Sequence, residues 1–198
     1  MAKFTIFSDI LKQGEQAGLT PAKTKASREW FRNKAGEIRR VNPNPLMKEA
    51  DRMSSRLMVG QMYLFSYSPK TKNDLPFYDR LPLVFPFRRT ADSFYGINLH
   101  YLPYAYRARL MDALYSLTSD RNYNENTKLK LSYGILNAAS RYRFFKPCVK
   151  QYLNSHVQSR FINIFANEWD MALFLPLERF EKATKQQVFK ESIKQFQR

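Results

Sequence analysis

Residues 60–103 read GQMYLFSYSPKTKNDLPFYDRLPLVFPFRRTADSFYGINLHYLP, and this aromatic stretch decides the fold. From Leu57 the apolar period is two, with Met62, Leu64 and Ser66 alternating with Tyr63, Phe65 and Tyr67. Both sets are largely bulky, which predicts a strand covered on both faces or one that closes a small barrel. Ser68 to Asp74 is a polar hairpin-type connection, Leu81 to Phe87 is a second strand, and Phe94 to Leu102 is a third. Pro82 and Pro86 cannot donate ladder hydrogen bonds, so the second strand is expected at an edge or with a bulge. Gly96, set among aromatics, points to a bulge or to another backbone coming close.

On the N-terminal side of this core the period becomes helical. Phe4, Phe7, Ile10 and Leu11 fall on one face of a short amphipathic helix over Phe4 to Glu15, closed by Gly14 and Gly18. Thr20-Pro21 reads as N-cap and first helical position of a second helix that runs through Trp30, Phe31 and Ile38 to about Arg40. Its other face carries Lys23, Lys25, Arg28, Arg32, Lys34 and Arg39, a pattern that suits a solvated face as well as a polyanion contact. Asn42-Pro43-Asn44-Pro45 interrupts it, and a third helix is expected from there to just before Leu57. After Pro103, Tyr106, Leu110, Leu114 and Leu117 form another helical stripe. A helix over about 126–140 presents Leu129, Leu131, Ile135, Leu136 and Ala139 and runs into Arg141-Tyr142-Arg143-Phe144-Phe145-Lys146. Residues 157–164 alternate again and read as a late strand able to close the sheet. A short helix from Trp169 to Leu175, stopped by Pro176, and a last one from Lys185 to Gln195 complete the chain.

The fold class expected from this reading is α+β. A small SH3-like β barrel, built from strands near 58–67, 81–88, 94–102 and 156–165, carries helices before, within and after it. The organisation expected is a basic helical segment over 1–56, a β core over 57–182 with an inserted helical pair at 103–155, and a C-terminal helix over 183–198.

Charge indicates the partner. The 198 residues hold 33 Lys and Arg against 17 Asp and Glu, for a net charge of +16. The excess is +6 in each of 1–56 and 103–155, but only +2 in each of 57–102 and 156–198. Such a balance favours a polyanion, because phosphates neutralised by Lys and Arg release condensed counterions. With 16 Phe, 12 Tyr, 2 Trp and only 6 Gly, the charge sits on folded elements and not on a disordered tail. No apolar run approaches the length of a membrane span, and the N-terminus lacks a signal-peptide pattern, so the expected partners include no membrane. Cys148 alone leaves neither an internal disulfide nor a zinc cluster.

The candidate nucleic-acid-binding residues are Arg141, Arg143 and Lys146, interleaved with aromatics, and Arg88 and Arg89 in a turn. Arg107, Arg109, Lys128 and Lys130 on the flanking helices join them. Guanidinium and ammonium groups hold phosphates, and neighbouring aromatic rings offer stacking surfaces for bases. The competing fate of Tyr142, Phe144 and Phe145 is core packing with the basic groups snorkelling outward. Catalytic chemistry finds little support. His100 and His156 are the only histidines, and neither HExxH nor a glycine-rich phosphate loop occurs. Asp74 and Asp92 lie in turn contexts, Asp79 precedes a potential partner in Arg80, and His100 reads as a structural histidine. No catalytic residue, metal site, cofactor or small-molecule substrate is expected.

Four phrases carry a likeness to a known family: MYLFSYSPKTKNDLPFYDRLPLVFPF from Met62, FYGINLHYLP from Phe94, KLSYGILNAASRYRFFKPC from Lys130 and NEWDMALFLPLERF from Asn167. Over about 57–182 the chain resembles small virion proteins of contractile-tailed bacteriophages and cyanophages that are labelled DNA end protector proteins. The resemblance implies a virion component, present in the host cytoplasm during assembly and after injection. Such a component binds the ends of the packaged linear double-stranded DNA and shields them from host exonuclease. The alternative is a non-catalytic structural adaptor of the phage neck, tail or baseplate, docked on a ring of virion subunits such as the portal. In that case Phe4, Phe7, Ile10 and Leu11 are the partner-binding anchors.

Overall fold

The computed structural model of the chain describes residues 6–21, 23–118, 134–138 and 143–197. It is a mixed α+β fold with helices α1 (Ile6–Gln16), α2 (Lys25–Glu37), α3 (Tyr104–Thr118), α4 (134–138), α5 (Trp169–Phe174) and α6 (Lys185–Gln197). The strands are β1 (Met53–Ser54), β2 (Met62–Leu64), β3 (Tyr78–Asp79), β4 (Leu83–Arg89), β5 (Ser93–Asn98), β6 (Val149–Leu153), β7 (Phe161–Ile164) and β8 (Phe180–Glu181). Six of them form one sheet in the order β1-β7-β2-β4-β5-β6, antiparallel throughout, and β3 and β8 pair separately.

The double-sided aromatic pattern of the middle segment places the sheet between two cores. Met62, Leu64, Leu83, Phe85, Ile97, Ile162 and Ile164 point to the main core, which also takes Phe7, Ile10, Phe31, Trp169 and Leu173 from the helices. Tyr63, Phe65, Tyr67, Val84, Phe94 and Tyr152 point the other way, into a second cluster with Leu57. Phe65 is fully buried there and meets Phe161, Tyr152, Phe94 and Tyr67 edge-on at 5.2, 5.3, 5.7 and 6.3 Å between ring centres. Each such pair is worth about 0.5–1.5 kcal/mol beyond area burial. Phe94 of β5 reaches Phe161 of β7 at 5.7 Å although β2 and β4 lie between their strands, so the sheet curls strongly around this cluster. No ladder joins β6 to β1 or β7 among the described residues, and the expected closed barrel is not formed.

Of the two alternatives expected for the second strand, the bulge holds and the edge does not: β4 lies inside the sheet and tolerates Pro86 because the register with β5 shifts between Pro86 and Arg88. Gly96 faces that bulge: a Cβ there would lie 2.2 Å from Val84 Cγ1 and 3.0 Å from the Phe85 carbonyl oxygen. Several other expectations are corrected. The third helix expected before Leu57 is instead two 3-10 turns, Leu46–Lys48 and Ala50–Arg52, followed by β1. α2 starts at Lys25 and not at Pro21, because Thr24 is the cap, its hydroxyl accepting from the Ser27 amide at 3.1 Å. The strand expected to 102 ends at Asn98, whose side chain accepts from the His100 amide at 3.0 Å and turns the chain into a 3-10 turn. β6 was not expected at all. Of the helix expected over about 126–140, only residues 134–138 are described, as α4; the rest lies outside the described residues.

Candidate nucleic-acid interface

The positive charge divides into two populations. Part of it is inside. Arg32, on the α2 face expected to be solvated or bound to a polyanion, is buried, donating from Nε to Asp170 Oδ1 at 2.5 Å and from Nη2 to Asp112 Oδ1 at 2.8 Å. Burial opposes the Arg32 charge, but these two carboxylates hold its pKa above the usual value. Arg28 sits 3.5 Å from the same Asp112 and lies over the Tyr115 ring. Arg52 forks onto Glu168, with 2.6 Å from Nη2 to Oε1, and also pairs with Glu49. Arg107, a candidate phosphate ligand by sequence, is fully buried and is removed from the interface. Its guanidinium donates to the carbonyls of Leu173, Leu102 and His100 at 2.6, 2.7 and 3.2 Å. Burial lowers its pKa, and the nearby charge of Glu178 only partly offsets this.

A second buried polar group lies where β3 meets the end of β5. Asp79 accepts from the amides of Leu81 and Arg179 at 3.0 and 3.1 Å and from Asn98 Nδ2 at 3.3 Å, and its Oδ2 lies 2.6 Å from His100 Nδ1. Burial pushes the Asp79 carboxyl up, but His100 and the two amides more than offset it and hold it below the usual carboxylate range. The partner of Asp79 is therefore His100 and not the adjacent Arg80, which pairs with Glu181 at 2.8 Å. Asp74 and Asp92 sit in turns, Asp92 Oδ1 accepting from the Thr90 hydroxyl at 3.1 Å. No group of three or more potential metal ligands occurs among the described residues.

The other population is outside. These pairings take up Glu49, Asp112, Glu168 and Asp170 together with Arg28, Arg32 and Arg52, and leave the remaining basic residues to carry the net positive charge. Arg39, Arg40, Arg56, Lys70, Lys72, Arg88, Arg109 and Lys146 are exposed with no carboxylate in ion-pair range among the described residues. Arg88 lies over the Tyr95 ring at 4.7 Å, which leaves a guanidinium edge facing solvent. Arg89 donates to the Leu57 carbonyl at 3.2 Å, and Arg109 lies over Tyr106 at 5.5 Å.

The sequence candidates do not converge. Arg89 pairs with Phe94 at one end of β5, whereas Lys146 precedes Val149, which pairs with Ile97 near the other end. At about 3.4 Å per residue this separates them by more than roughly 10 Å along the sheet. Arg141, Lys128 and Lys130 lie outside the described residues, and Arg143 is described only as backbone opening a 3-10 turn. Of the apolar anchors, Phe7 and Ile10 are buried in the protein's own core, Leu11 packs against it, and Phe4 lies outside the described residues. The docking face that the adaptor reading needs is thus largely turned inward.

Two clefts flank the β3–β8 pair, with Tyr67 and Tyr78 shared between their walls. One is polar and presents Lys72, Arg80 and Arg179 beside Asn42 and Asn44. The other is aromatic, with Lys150 among Tyr101, Phe77 and Tyr152.

A basic folded domain with these clefts and no metal-ligand cluster among its described residues matches one family model, phage T4 terminal DNA protecting protein, over residues 6–195. The chain belongs to that family. No curated protein matches it, nor does any solved structure. Membership makes it a phage DNA-protecting protein and extends the likeness seen at 57–182 through α1, α2 and α6. It gives no support for an enzymatic role. Among the described residues of this family member, no helix is long and apolar enough to cross a membrane. What sequence reading missed in it are the buried partners of Arg32, Arg52, Asp79 and Arg107 and the position of Lys150. No local signal marked Arg107 for burial: it lies between Tyr106 and Ala108, and the exposed Arg109 lies between Ala108 and Leu110.

Proposed function

We propose that the protein binds the ends of packaged linear double-stranded DNA in the virion and, after injection, denies them to host exonuclease. It does so by occupancy and not by catalysis. The observation that carries this reading is the sorting of charge in a DNA-protecting family. Buried arginines take up acidic groups, and an unneutralised set of exposed ones, with Arg88 braced on Tyr95, remains for phosphates. Sequence-independent end binding needs that combination of backbone neutralisation and aromatic support. We also propose that the strands β7-β2-β4-β5-β6, with the 3-10 turn Asn154–His156 leading from β6 towards β7, form an opened SH3-like half-barrel. That half-barrel presents Arg88 and the clefts on its rim. Contacts to other virion proteins use surfaces away from the buried α1 anchors.

The test is exonuclease digestion of a linear duplex in the presence of the purified protein, with closed circular DNA as binding competitor. End-selective protection is expected. With six to ten phosphates contacted, affinity falls roughly a thousandfold or more between about 50 and 200 mM salt. Protection that closed circular DNA abolishes at equal mass, or a flat salt response, refutes the reading.

A further inference from the structure

The side of β6 that turns toward the second core alternates Lys150 and Tyr152, and this places a lysine where an apolar residue is expected. Lys150 pairs in register with Gly96, and its Nζ lies 4.2 Å from the centre of the Tyr101 ring. No hydrogen-bond acceptor or carboxylate reaches this ammonium among the described residues. The buried thiol of Cys148 also acts on it electrostatically. Lys150 is half-buried at the wall of a cleft, and partial burial without a carboxylate partner pulls its ammonium below its usual range. An ammonium in this position, facing a cleft with no carboxylate beside it, is free to take an anion from a ligand.

The same lysine lines the aromatic cleft, which holds ≈ 340 Å³ between β6, Asn98, β3 and the 67–77 connection. This falls at the small end of ligand pockets. Phe77, half-buried at the wall, lies 6.0 Å from Tyr101 at a shallow interplanar angle of 32°. Lys70 at the rim adds positive charge. Asp79 also lines the cleft, but His100, Asn98 and two backbone amides already engage its oxygens.

From this geometry we infer that the aromatic cleft receives one terminal nucleotide of the DNA end, its phosphate on Lys150 and its base against Phe77. The inference rests on the end-binding function proposed above and adds to it a means of telling an end from an internal site. Only an end can surrender a nucleotide to a pocket of this size without breaking a pair held on both sides.

The experiment uses the full-length protein, K150M and F77A. Thermal melting first verifies that both variants fold, and K150M is expected to fold because Lys150 is half-buried, makes no ion pair, and Met keeps its length and apolar stem. Deoxyadenosine monophosphate, deoxyadenosine and inorganic phosphate are titrated separately against each, following the backbone amide NMR signals of Gln151 and Tyr152. Binding of a short fluorescent duplex is then competed with linear and with closed circular DNA. Saturable shifts with the monophosphate, weakened about tenfold in both variants and without the phosphate group, are expected from loss of one charge-assisted or stacking contact. The preference for linear over circular DNA should fall by a similar factor in K150M, with circular binding changed less than about twofold. Absence of shifts at Gln151 and Tyr152, or unaltered shifts in K150M, overturns the assignment. Equal affinity for inorganic phosphate overturns the base contact. A wild type that binds linear and circular DNA alike refutes the end-binding function, while the nucleotide titration still judges the cleft.

Discussion

The same substitution at two glycines should move stability in opposite directions. Gly96 sits in the middle of β5, where an added Cβ would lie 2.2 Å from Val84 Cγ1, 3.0 Å from the Phe85 carbonyl oxygen and 3.3 Å from Pro86 Cα. Two of these neighbours are backbone atoms of the adjoining strand. The third is a fully buried valine held by both sheet partners, so relief requires moving the β4–β5 ladder. Overpacking of this kind costs about 1–3 kcal/mol. Gly36 lies exposed in the last turn of α2, and a Cβ there meets nothing within 4 Å. Gly36→Ala should therefore stabilise by up to about 0.5–1 kcal/mol through helix propensity alone. For a chain of this size 1 kcal/mol is worth about 2–4 °C in Tm. Thermal unfolding followed by circular dichroism should show G96A melting roughly 2–12 °C below the wild type and G36A about 1–4 °C above it. The double variant should fall at the sum of the two shifts, because the sites share no neighbours. A G96A protein that melts with the wild type would refute the close packing at the bulge, and G36A melting below it would refute the assignment of α2.

Three other perturbations test the charge sorting. Arg32→Met leaves Asp170 buried without its partner, and a loss of about 3–5 kcal/mol is expected in urea unfolding; a loss under about 1 kcal/mol would mean the pair is not buried. Asp79 has a folded pKa below its unfolded value, so its contribution is complete above the unfolded pKa of about 3.9 and is lost as pH falls through the folded one. Asp79→Asn should destabilise at neutral pH and flatten the acid limb of a Tm-against-pH curve. An unchanged acid limb would contradict the His100 pairing. Arg88→Ala should weaken DNA binding by a similar factor for every sequence and reduce the slope of log affinity against log salt by about 1. An unchanged slope would place Arg88 away from the phosphates.

Where local chemistry suffices, elements of this fold were legible in the sequence. Helical spacing located α1, α3 and α6, the period of two located β2 and β7, and Pro176 marked the end of α5. Gly96 announced both the bulge and the close approach, because only the absence of a side chain fits there. The net charge and the shared phrases pointed to the DNA-protecting family. Local reading failed where two signals competed, as at Thr20-Pro21 against Thr24, or where the signal was absent. β6 is such a case, since Val149–Leu153 buries little besides Tyr152 and is a strand because β5 pairs with it.

The sequence by itself determined that the protein is basic, aromatic-cored and α+β, because composition and periodicity are properties of neighbouring residues. Tertiary structure alone decided which basic residues face solvent. Arg32 meets Asp170 across 138 positions and Arg52 meets Glu168 across 116, and no window of sequence contains both partners. Arg107 is neutral in its contacts, resting on three carbonyls freed at helix and turn ends, and nothing in its own segment distinguishes it from the exposed Arg109. The burial of a charge depends on whether the fold brings acceptors to it, and that is settled by long-range packing of the sheet and helices.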